Sequence, residues 1–112
     1  MMLEQLFKPS SELTFATVQL DCKRFLSLVK GSEQTVTIRF DLHEVTECDS
    51  AGLALIIEAK RLCKLYNKCL HIVGVPKVIY ALAEFCGLKT ILGNEEDVRQ
   101  PIIMAKEEPA LV

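Results

Sequence analysis

A small α/β domain, with a mixed central β-sheet of about four to five strands and helices packed on it, is what this sequence predicts. Three observations lead there. Segments with apolar residues at every second position alternate along the chain with segments of helical period. Glycine and proline punctuate the joints between them. Finally, 112 residues of which 50% are hydrophobic and 25% charged suit one domain with a modest two-layer core and exclude disorder as the main state. Such a chain is too short to hold a substrate-binding domain beside a cofactor-binding one.

The first element is expected to be a hairpin. Residues 13–20 alternate apolar and polar side chains of β-branched and aromatic type, the pattern of a half-buried strand. Residues 4–8 pair with them across the turn residues Pro9, Ser10 and Ser11. Residues 21–30 then carry Phe25, Leu26, Leu28 and Val29 among lysine and arginine, a short amphipathic helix ended by Gly31. Residues 35–42 alternate throughout and are rich in β-branched types, so they belong near the centre of the sheet.

The next helix begins at Ser50 or Ala51 and runs to about Asn67. Winding it at about 100° per residue gathers Leu55, Ile56, Ala59, Leu62, Cys63 and Tyr66 into the core stripe. The same wheel puts Leu53 and Ile57 with Lys60, Lys64 and Asn67 on a flank mixing large aliphatics with positive charge. A strand at 70–73 follows. Pro76 then occupies the first turn of a helix whose apolar face is Val78, Ile79, Leu82, Ala83 and Phe85 or Cys86. Gly87 stops that helix in the left-handed conformation with Leu88 as its hydrophobic partner, and Ile91 and Leu92 close a last strand. The domain spans residues 1–93; residues 94–112 form an acidic tail, with Glu95, Glu96, Asp97, Glu107 and Glu108 against Arg99 and Lys106, whose Ile102-Ile103-Met104 patch either docks on the domain or a partner or, the preferred expectation, frays with the terminus.

Composition narrows the function. A net charge of −2, with no tryptophan, offers nucleic acid neither a phosphate-collecting surface nor a stacking platform. No apolar run approaches the roughly 20 residues of a membrane span, and Glu4, Lys8 and Glu12 interrupt any signal-peptide core, so a cytoplasmic protein without direct membrane insertion is expected. Cys22, Cys48, Cys63, Cys69 and Cys86 form no CxxC pair, and their odd number fits a reducing compartment. With His43 and His71 alone to join them, no metal-ligand spacing is recognisable, and no cofactor is implied.

The turn Asp49-Ser50-Ala51-Gly52 carries the functional interest. Asp49 and Ser50 have side-chain oxygens that cap a helix, and the amides behind them can also receive an acceptor from a second protein. Capping alone explains such residues; beside Gly52, and with Leu53 and Ile57 on a flank with Lys60 and Lys64, capping and partner contact are expected together. Those two aliphatics either pack under a neighbouring loop or fill a partner's groove, while the lysines steer encounter. Catalysis is not expected: Ser50 and Asp49 have no histidine near them in sequence, and His43 has no orienting signature.

The order of elements resembles the STAS domain family, over about residues 4–93. The residues that carry the resemblance are Phe40-Asp41-Leu42 with Val45, then Asp49-Ser50-Ala51-Gly52-Leu53-Ala54-Leu55, then Gly74-Val75 with Val78 and Leu82. Anti-sigma-factor antagonists of this family are switched by phosphorylation of a hydroxyl residue just before the motif glycine, where this chain has Ala51. Ser50, one position earlier, is instead similar to the hydroxyl residue of MlaB-type STAS subunits of phospholipid ABC transport systems. That likeness implies a non-catalytic subunit at the cytoplasmic face of the inner membrane, bound to the ATPase of a complex that contains a membrane permease. The antagonist type, with Ser50 as a phosphorylation site, is the alternative it implies.

Overall fold

The computed structural model describes residues 3–31 and 35–93. Strands β1 (Leu3–Phe7), β2 (Glu12–Leu13), β3 (Thr35–Asp41), β4 (Glu47–Cys48) and β5 (Cys69–Val73) alternate with helices α1 (Val18–Gly31), α2 (Ser50–Leu65) and α3 (Lys77–Phe85); a 3-10 turn, Lys89–Leu92, follows. The α/β class stands, and the five strands divide into a sheet ordered β1-β3-β5 and a short ladder of β2 with β4.

All three strand pairings are parallel. Parallel neighbours need a crossover connection, which α1 supplies between β1 and β3 and α2 between β3 and β5. β3 is central, as its continuous β-branched pattern requires. Its side chains sort by period two: Ile38 and Phe40 are fully buried while Arg39 is exposed. In register beside Arg39 lies Leu6, 55% exposed, so one face of the sheet carries the helices and the other is open. On the helix side Phe7, Phe25 and Phe40 meet with ring centroids 5.1–5.4 Å apart.

The expected N-terminal hairpin is not formed. Leu13 pairs with Cys48 rather than turning back on β1, and residues 14–17 coil into a turn in which the Thr14 carbonyl accepts the N–H groups of Thr17 and Val18 at 2.9 and 2.8 Å. The Thr17 hydroxyl accepts from the Thr14 amide and donates to the Glu12 carbonyl. Threonine hydroxyls thus offer the backbone a helix start in a segment whose alternation suggested a strand, and α1 begins at Val18. Asp21, fully buried one turn later, accepts from the Ser10 amide and hydroxyl and from Arg24, tying α1 to the loop after β1.

Helices α2 and α3 end alike. Asn67 and Gly87 take φ values of +56° and +73°; the next amide, of Lys68 or Leu88, donates to the carbonyl of Cys63 or Ala83 at 2.7 Å, while Asn67 and Gly87 themselves donate to Lys64 and Glu84. This six-to-one, five-to-two pattern satisfies the last carbonyls. Two expectations shift: Pro76 caps α3 from outside its first turn, and Ile91 and Leu92 lie in the 3-10 turn rather than a strand. The tail expected from Asn94 onward lies outside the described residues.

Candidate surface at the start of helix α2

The site is the junction of the loop after β2, the end of β4 and the first turns of α2. Asp49 holds it together. From an extended conformation its carboxylate accepts the Ala51 and Gly52 amides on one oxygen, at 2.9 and 3.3 Å, and the Phe15 amide on the other, at 3.0 Å. Its own amide donates to the Leu13 carbonyl. The residue read as a helix cap is therefore also a clasp between two segments 34 residues apart in sequence. These donors, Phe15 first, hold its carboxyl below the usual carboxylate range.

Gly52 is buried, and its role is spatial. A Cβ there would lie 2.4 Å from the Leu13 carbonyl oxygen and 2.6 Å from Cys48 Sγ, so only a glycine lets α2 sit this close to β2 and β4. Burial pushes the Cys48 thiol up to about 11, with the Asp49 charge assisting. All five cysteines are free.

The mixed flank expected from the helical wheel divides. Leu53 is 1% exposed, which corrects its placement beside Ile57: it belongs to the core. Helix α2 is covered more widely than one stripe, because β4, β5, α3 and the closing 3-10 turn all pack on it in addition to α1. Ile57 stays 43% exposed. Lys60 is half-buried and donates to the Gly93 carbonyl at 2.8 Å, fastening the chain after the 3-10 turn to α2, while Lys64 is exposed in the last turn.

What α2 presents outward is Ser50, Ala54, Ile57, Arg61, Lys64 and Leu65, a strip repeating every three to four residues. Phe15, 83% exposed, stands at its N-terminal end, anchored through its amide to Asp49. Sequence reading missed Phe15 because the segment looked like a strand; the Thr14 and Thr17 pair flanking it was the available sign of a turn. Ser50 is exposed at the first helical position. The strip therefore joins an apolar N-terminal half to a basic C-terminal half, in which Arg61 is engaged by Glu58 at 2.7 Å.

His43 is engaged elsewhere, its amide and Nδ1 meeting the Asp41 carboxylate at 3.0 Å. Among the described residues no group of three histidine, cysteine or acidic side chains could hold a metal ion, and no helix is long and apolar enough to cross a membrane.

A family model described as "Mlab, STAS domain" matches residues 10–93. The chain belongs to the STAS domain family. The match takes in β2 through the 3-10 turn, so the clasp of Asp49 on the loop after β2 lies wholly inside the family's domain. Among solved structures, a sulfate transporter family protein from Wolinella succinogenes is similar with a TM-score of 0.64 and 18% identity, over 80% of this chain and 71% of that one. At that identity the likeness is one of fold. No curated protein sequence matches the chain.

Proposed function

We propose that this STAS domain is a non-catalytic subunit that binds the ATPase of an Mla-type phospholipid ABC transporter at the cytoplasmic face of the inner membrane. In that role it supports the assembly or activity of a complex that maintains outer-membrane lipid asymmetry. The observation that carries the reading is the outward strip of α2, with Phe15 and Ile57 exposed on either side of Ser50 and Ala54. The family model's description supports the choice of system.

An apolar centre beside charged residues is the usual anatomy of a binding hot spot. Burying Phe15 and Ile57 would contribute roughly 1.5–3 kcal/mol each before the costs of association, and Lys64 would act mainly on the rate of encounter. Because Asp49 ties the Phe15 backbone to the helix start, part of the ordering needed for binding is already made, and the ring itself is left to order. A phosphate on Ser50 would place roughly −1.5 to −2 charges in the middle of this strip and oppose docking.

The test is affinity purification of the tagged protein from its native cells, with co-purifying proteins identified by mass spectrometry. Phe15→Asp and Ile57→Glu, both at exposed positions, serve as the surface variants. An ABC ATPase and a permease recovered with the wild type and lost with both variants is the expected result. Recovery undiminished in both folded variants would remove the strip from the interface, and recovery of an anti-sigma factor or a serine kinase instead would replace the transporter reading.

A further inference from the structure

We infer that the α2 strip has an occupant within the same chain: the segment after Gly93, with its Ile102-Ile103-Met104 triplet laid against Phe15, Ala54 and Ile57. The inference uses the surface described above and is independent of which partner that surface serves.

The exit point is fixed first. The hydrogen bond from Lys60 Nζ to the Gly93 carbonyl at 2.8 Å delivers the chain onto the flank of α2, one turn from both Ile57 and Lys64. Reach follows. Ile102 is nine residues beyond Gly93, about 30 Å of extended chain at roughly 3.3 Å per residue. The stretch of helix from Lys60 back to Ser50 is about 15 Å at 1.5 Å per residue. The triplet therefore reaches the start of α2 even along a bent path.

Order and charge agree with that direction. The strip is basic in its C-terminal half, at Lys64 and at Arg61, which Glu58 also engages, and apolar in its N-terminal half, at Ile57, Ala54 and Phe15. Running antiparallel from Gly93, the chain presents Glu95, Glu96 and Asp97 first and Ile102, Ile103 and Met104 afterwards. Pro101, between them, favours an extended approach over a helix. Surface ion pairs of this sort contribute little each, but an attached segment acts at millimolar effective concentration, so an intrinsic affinity of about 1 mM gives half-occupancy. A partner that uses the strip must then displace the segment, and the apparent affinity falls by the fraction occupied.

Photo-crosslinking in the full chain tests this without any partner. Benzoylphenylalanine replaces Phe15 in one sample and Leu6, on the open sheet face, in another; irradiated monomer is digested and mapped by mass spectrometry. The expected result is intramolecular crosslinks from position 15 to peptides within residues 98–106 and few from position 6. With Ile102→Ser, Ile103→Ser and Met104→Ser together, the yield from position 15 should fall about fivefold, as for a tenfold weaker closing equilibrium starting near half-occupancy. Crosslinks from position 15 confined to the domain or joining two copies, a tail captured preferentially from position 6, or a yield unchanged by the triple substitution would each overturn the inference. None of these outcomes bears on the ATPase, so the two proposals fail separately.

Discussion

Replacing Gly52 by alanine sets two effects of known sign against each other. In an unconstrained helix the change favours folding by roughly 0.5–1 kcal/mol, because alanine loses less backbone freedom. Here the new methyl would sit 2.4 Å from the Leu13 carbonyl oxygen and 2.6 Å from Cys48 Sγ. The sulfur can rotate aside; the carbonyl belongs to the β2–β4 ladder and cannot, so α2 must back away. Overpacking of this kind costs about 1–3 kcal/mol. The retreat also stretches the bonds that join Asp49 to Leu13 and Phe15, each worth about 1 kcal/mol in a typical case. The net expectation is a loss of about 1–3 kcal/mol, which at a urea m-value of about 1–3 kcal/mol/M lowers the midpoint by roughly 0.3–3 M. Urea titration followed by circular dichroism reads it directly. Adding Cys48→Ala should restore only part of the loss, since the carbonyl overlap remains. A midpoint that is unchanged or raised in Gly52→Ala would refute the close-approach account of this glycine.

The neighbouring positions separate core from surface. Leu53→Glu places a carboxylate at a site 1% exposed and should unfold the domain, whereas Ile57→Glu, at 43%, should stay within about 0.5 kcal/mol of the parent in thermal melts. Acid should act through Asp49 and Asp41, whose folded values are lowered by amides of Phe15 and His43 respectively. Their stabilisation is complete above the ordinary carboxylate value of about 4 and is lost as pH falls through the lower folded values. Urea midpoints between pH 2 and 6 should therefore drop less steeply in Asp49→Asn than in the wild type. In iodoacetamide labelling at pH 8, exposed Cys86 should react first, and Cys48, with a pKa near 11 and about one thiolate in a thousand, should lag far behind.

How much of this was legible in the sequence depended on whether local pattern and tertiary coverage agreed. β3, α2 and the left-handed stop at Gly87 were readable because periodicity, capping residue and glycine each point one way. Residues 14–20 were not: alternating threonines suit a strand, and only the pairing of Leu13 with the distant Cys48 leaves Thr14 and Thr17 free to turn into α1. Leu53 failed for a different reason. A helical wheel knows angles but not the extent of what covers them, and α2 is packed by several elements at once. The site inherited both limits, with Ile57 exposed on the flank the wheel gave it, Leu53 moved inward, and Phe15 overlooked.

The parallel pairing has a consequence for how this chain comes to be folded. Every residue in β1, β2 and β5 finds its ladder partner 32 to 35 positions away in sequence. With no hairpin among these ladders to zip from a tight turn, each begins by closing a long loop, a topology that slows folding relative to local pairing. During synthesis, however, β1 can meet β3 as soon as the latter emerges, and β5 then adds to the free edge of β3, while β4 pairs apart from that sheet with β2. The clasp between Asp49 and Phe15 joins segments that β2 and β4 bring together, so the start of α2 takes its shape only once that separate two-residue ladder has formed.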